Sequence, residues 1–138
     1  MQKIKDSRTG KNLEALFALA AESALRYVYF SRRAYVEGHS GVAQLFHATA
    51  EAERVHALGH LDFLRYDPKS GKQTTLTRLN IQSAIESDTH KYHDIYPKMA
   101  EIAREEGFDD IANWLETLAR AKRMNTNDFQ KALKILLD

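Results

Sequence analysis

The sequence predicts an all-α protein, a four-helix bundle of two helical hairpins joined by one long crossover. Three observations predict it. Four stretches carry apolar residues at spacings of three and four, the signature of amphipathic helices. Two of the joints between them are short and carry glycine, at Gly38 and Gly107, whereas the third, DPKSGKQTTLT at 67–77, is long and holds one of the two prolines. The two halves also repeat each other. Setting EGHSGVAQLFHATAEAERVH against EGFDDIANWLETLARAKRMN pairs Glu37 with Glu106, Gly38 with Gly107, Val42 with Ile111, Phe46 with Leu115 and Ala50 with Ala119, at a constant offset of 69 residues that also pairs Tyr27 with Tyr96.

The first helix is expected near 10–36. Ser7 and Thr9 precede it as caps, and Leu13, Leu16, Phe17, Ala20, Ala24, Tyr27, Ser31 and Ala34 form its stripe. Gly38 can take the left-handed conformation that ends a helix, and Ser40 offers an N-cap for the second helix, near 40–66. The third helix, near 77–106, carries Ile81, Ala84, Ile85, Asp88, Tyr92, Ile95, Met99 and Ile102, with Pro97 expected to bend it. Gly107 ends it and Asp109 can cap the fourth, near 109–137, whose stripe is Ile111, Leu115, Leu118, Lys122, Asn125, Phe129, Leu133 and Leu136.

With 138 residues a single domain, 1–138, is expected. Cysteine is absent, which excludes a disulfide framework, a cysteine nucleophile and cysteine-ligated iron or zinc. Lys+Arg 20 against Asp+Glu 19 leaves the charge near neutral, with no basic run to mark a nucleic-acid face. The opening MQKIKDSRTG is polar, and no stretch approaches the roughly 18 apolar residues of a membrane span. A cytoplasmic protein without nucleic-acid or membrane partners is the expectation.

The chemistry is concentrated in helix two, whose inward stripe reads Phe46, Thr49, Glu53, His56, His60 and Phe63. Residues three or four apart share a helix face, so Glu53 and His56 point where the flanking aromatics place the core. An E-x-x-H pair aimed into a bundle is how carboxylate-bridged di-iron or di-manganese sites are built, two helices each giving such a pair and two others each giving a Glu. In the internal repeat, however, Glu53 is answered by Lys122 and His56 by Asn125, so the second pair stands as K-x-x-N.

At these residues the chain resembles the rubrerythrins, ferritin-like di-iron proteins often described as peroxide-reducing. The likeness runs through SRTGKN, RYVYF, ERVH and YPKMAEIAREEGF, almost end to end. It implies a ferritin-like bundle and a di-iron site built from one Glu of helix one, the E-x-x-H of helix two, two Glu residues of helix three and an E-x-x-H of helix four. Position by position, the helix-one Glu falls on Ala20, the helix-two pair on Glu53 and His56, the helix-three pair on Asp88 and Lys91, and the helix-four pair on Lys122 and Asn125. A rubredoxin-like iron domain, carried by many rubrerythrins, is not expected in a chain without cysteine.

These departures change the chemistry. A charged lysine has three donors and no acceptor, whereas iron wants carboxylate oxygens. Glu53 and Asp88 instead balance Lys91 and Lys122 in charge, so a buried salt-bridge cluster is expected where metal stood. Tyr27 and Tyr96 match family tyrosines near the metals, with hydrogen-bonded core positions or redox roles as their two readings. Glu22, which the repeat pairs with Lys91, is read either as leaning inward or as exposed. His60 lies one turn below His56 on the inward stripe, and His39, His47, His90 and His93 are expected at the surface.

Three readings of function follow. The first is a structural or interaction protein that has lost di-iron chemistry, forming a homodimer or a hetero-oligomer with a related bundle. The second is a peroxide-reducing type of oxidoreductase using one residual metal ion, iron, at Glu53, His56 and Asp88, or a redox tyrosine without metal. The third is a small-molecule binding bundle.

Overall fold

The computed structural model describes residues 3–137, and every regular element among them is helical. Helix α1 spans Arg8–Val36, α2 Ser40–Leu64, α3 Thr77–His90, α4 Tyr96–Glu105 and α5 Asp109–Leu137. A single π-helical turn, Lys91–Ile95, lies between α3 and α4. The chain divides into two compact units, Met1–Tyr66 and Asp67–Asp138.

In the first unit α1 and α2 form a hairpin. Ser7 caps α1, its Oγ accepting from the Gly10 N–H at 2.9 Å and donating to the Ile4 carbonyl at 2.6 Å. The buried residues of both helices are mostly small: Ala20 and Ala34 on α1, and on α2 a run of Ala43, Ala50 and Ala57, spaced by seven, with Leu64 at its end. The Ser31 hydroxyl crosses to the Ala43 carbonyl at 2.7 Å. Alanine at the contact lets helix axes approach closely. Larger residues of the expected stripes, Leu16 and Phe63 among them, are therefore exposed rather than central to the hairpin.

The second unit repeats this packing with Ala100, Ala103 and Ala112 buried together and Leu115 against them. Ala34 and Ala103, Ala43 and Ala112, and Ala57 and Thr126 stand at the offset of the repeat, and all six are buried. The hairpin turns correspond as well. Gly38 and Gly107 have φ +84° and +85°, and the next residue's N–H closes back on the buried alanine, His39 on Ala34 at 2.8 Å and Phe108 on Ala103 at 2.7 Å.

Two caps differ from expectation. The N-cap of α2 is His39, without a side-chain bond, and Ser40 is the first helical residue. Asp109 likewise opens α5 within its first turn, beside Asp110, where both carboxylates complement the helix dipole. Ahead of Pro97, where a bend is expected, the helix carries the π-turn, in which the Tyr96 N–H reaches the Lys91 carbonyl. Proline has no N–H and its ring crowds the carbonyl four residues before it, so the turn ahead of Pro97 widens to relieve the crowding.

Candidate functional site

In the first unit the small-residue seam determines which side chains turn outward beside it. Ala20 is buried in the seam. One turn of α2 places Glu53 and His56 next to it, lining a cavity of about 510 Å³ with Leu16, Leu19 and His60. The Glu53 side chain is 29% exposed and that of His56 61%, with 3.9 Å between Oε1 and Nδ1. That separation leaves them an electrostatic pair rather than a hydrogen bond. His60 is half-buried on the same cavity, as its place one turn from His56 implies. Glu22 is exposed. Tyr27 is half-buried in an aromatic cluster, 6.1 Å from Phe30 and 6.0 Å from Phe46, and Phe30 meets Phe46 edge-on at 5.5 Å.

In the second unit Asp88, near the end of α3, is buried, and Lys91 opens the π-turn. Lys91 Nζ stands 3.7 Å from Asp88 Oδ1. Lys122 is half-buried on α5, Asn125 is exposed, and the Thr126 hydroxyl between α5 and its neighbours donates to the Lys122 carbonyl at 3.0 Å. Tyr96 is half-buried at the start of α4. Arg123 lies over the Tyr92 ring at 5.8 Å. Among the described residues no three His, Asp or Glu side chains gather as a metal-binding group.

The π-turn is the element that sequence periodicity missed. It advances the helix face by one residue just after Asp88, so Asp88 and Lys91 come from α-helical geometry while residues beyond Ile95 follow a shifted register. Pro97 was the available signal. His90 and His93 are at the surface as expected, and both ring Nδ1 atoms approach the Asp94 carboxylate, at 3.1 and 2.9 Å. Those two contacts hold the Asp94 carboxyl below its ordinary range.

A family model described as Rubrerythrin matches residues 11–133 of this chain. The chain belongs to the rubrerythrin family. It is 32% identical to a rubrerythrin of Clostridium perfringens over 97% of this chain and 74% of that protein. It is 31% identical to a rubrerythrin of Nitratidesulfovibrio vulgaris, over 94% and 71%, and 29% identical to rubrerythrin-1 of Clostridium acetobutylicum, over 97% and 74%. For a rubrerythrin, the all-α, ferritin-like class read from the sequence is the right one, and the two helical hairpins are its halves. No helix among the described residues is long and apolar enough to cross a membrane.

Proposed function

We propose that this rubrerythrin-family protein has exchanged its di-iron centre for carboxylate and lysine side chains, and that it acts as a structural or interaction protein rather than as a peroxide reductase. The observation that carries the reading is Lys91, whose ammonium lies 3.7 Å from the buried carboxylate of Asp88 at a position where the family resemblance expects a second carboxylate. A group held as an ammonium beside a carboxylate already has the counter-charge that a metal would supply. Two iron(II) ions would bring four positive charges to positions that hold Ala20, Lys91, Lys122 and Asn125 in place of acceptors, and that charge finds too few oxygens to balance it. The donor set therefore does not fit a di-iron centre.

The association half of the proposal rests on exposed apolar surface. Leu19, Val55 and Phe63 are 60%, 58% and 74% exposed, and in the second unit Trp114 and Met124 are 60% and 66% exposed. Apolar faces of this kind mark association surfaces. The partner proposed is a second copy of this chain or a related bundle. Sedimentation equilibrium of the purified protein checks this, and a monomer at all accessible concentrations would overturn it.

The second reading, an oxidoreductase with one residual metal ion, draws on Glu53, His56 and His60 lining one cavity. Elemental analysis of protein purified without chelators tests the loss of the di-iron centre, and one stoichiometric ion per chain would favour the second reading. The first reading expects less than a pair of metal ions per chain, and no oxo-bridged di-iron absorption after iron(II) and peroxide are added. Stoichiometric uptake of two irons would overturn it.

A further inference from the structure

Among the described residues, Leu64 and Tyr66 are the only buried apolar side chains larger than alanine, and both lie at the end of the first unit. The other buried apolar residues are alanines, each contributing little hydrophobic stabilisation beside a leucine or a phenylalanine. Bulky residues stay exposed with the whole chain present, and they do so in matched pairs of the repeat: Phe30 and Met99, Val42 and Ile111, Leu45 and Trp114, Val55 and Met124. Each hairpin thus carries the same uncovered apolar positions, and helices that bury little besides alanine are too small a core to stand alone.

The junction between the units has no slack. Tyr66, the last residue of the first unit, is buried, with the Lys5 ammonium 5.7 Å from its ring centre. Asp67, the next residue, is already tied into the second unit: its N–H reaches the Lys72 carbonyl at 2.8 Å and its Oδ1 accepts from the Lys69 N–H at 3.0 Å. The loop that follows is fastened to α3 by the Ser70 and Ser83 hydroxyls, 2.6 Å apart, and by the Lys72 ammonium on the Glu86 carboxylate. The crossover is long in the sequence, yet the link left unfastened between the units is the Tyr66–Asp67 peptide. A short, constrained hinge favours exchange of an element between copies over closure within one chain.

We propose that two copies of this chain exchange hairpins, α1 and α2 of one packing against α3, α4 and α5 of the other, and the reverse. This pairing rests on the association half of the proposed function, from which it selects the second copy as partner. Exchange in both directions covers all four hairpins and closes as a two-fold dimer. Charge sets which hairpins meet. Residues 1–66 hold nine Lys and Arg against seven Asp and Glu, and residues 67–138 hold eleven against twelve. The units are therefore of opposite sign, so unlike units attract where like units would repel.

The test is sedimentation equilibrium of the full-length protein beside a variant with about ten Gly and Ser residues inserted between Tyr66 and Asp67, a flexible tether that lets one chain close on itself. Both are refolded from urea at low concentration. The parent is expected as a dimer, and the variant as a monomer of the same helix content and about half the mass. A second measurement needs no variant: isotope-labelled and unlabelled copies of the parent, unfolded and refolded together, should give isotope-filtered NOEs between residues 8–64 of one copy and 77–137 of the other. A monomeric parent would overturn this pairing together with the association reading. A dimeric parent that lacks those intermolecular NOEs, or whose folded insertion variant is still a dimer, would overturn the exchange and leave the association reading standing. Where the insertion costs helix content, the NOEs alone decide.

Discussion

Gly38 and Gly107, 69 positions apart in the chain, adopt the same left-handed conformation and close the same turn onto Ala34 and Ala103. An added Cβ at either one would meet nothing within 4 Å. The cost of a side chain there is therefore conformational and not steric. Gly38→Ala and Gly107→Ala should each destabilise by about 1–2 kcal/mol, the cost of a non-glycine residue in this region. Urea unfolding midpoints check this, and a neutral result at either position would mean that the turn rearranges.

Gly10 and Gly59 are both helical glycines, yet opposite effects are expected of alanine at the two. A Cβ on Gly10 would stand 2.1 Å from the Ile4 carbonyl oxygen, backbone that the Ser7 cap holds in place. At Gly59 nothing lies within 4 Å. Gly59→Ala should stabilise by about 0.5–1 kcal/mol through helix propensity. Gly10→Ala should destabilise by about 1–3 kcal/mol, the usual cost of overpacking. Thermal unfolding of both variants reads the sign directly.

Asp88 is buried while Lys91 is 38% exposed at its side chain, so their pair stands between the surface and interior cases. Lys91→Met should cost about 1–2 kcal/mol, less than the loss of a partner from a fully buried pair and more than at the surface. Asp88→Asn combined with Lys91→Met should recover much of that loss. A double-mutant cycle with coupling near zero would show that the lysine is held by solvent alone.

If metal ligation was lost through these substitutions, then Ala20→Glu, Lys91→Glu, Lys122→Glu and Asn125→His together should make the melting temperature rise with added iron(II), because a ligand bound only by the folded state stabilises it. The parent protein should show little such rise. Equal responses in both would count against the proposed exchange.

Tyr66 is buried against the N-terminal segment, with Lys5 over its ring at 5.7 Å. Burial first, then the Glu14 carboxylate, raise its hydroxyl above the ordinary tyrosine range. The folded state therefore favours the neutral phenol. Its contribution to stability is complete below the unfolded value of 10.0 and is lost as pH rises from there through the folded value. Absorbance titration should resolve a late-ionising tyrosine, and Glu14→Gln should bring it down. A titration with all tyrosines ionising together would contradict this.

Much of the fold was legible because it is written locally. Helix ends follow from Ser7, Gly38 and Gly107, whose preferences depend on one or two neighbouring hydrogen bonds. The 69-residue repeat carries both hairpins. Glu53, His56 and His60 line one cavity, because spacing along one helix is enough to bring them to one face. Tertiary structure decided what periodicity leaves open. A helix with both alanine and leucine stripes does not announce which one its partner will take, and here close approach chose Ala43, Ala50 and Ala57 while Leu16 and Phe63 stayed exposed. The π-turn depends on how Pro97 is accommodated within a packed helix, and the fastening of Ser70 to Ser83 and Lys72 to Glu86 joins residues 13 and 14 positions apart. Contacts at such separations depend on the path of the loop between them, which no helical or strand period encodes.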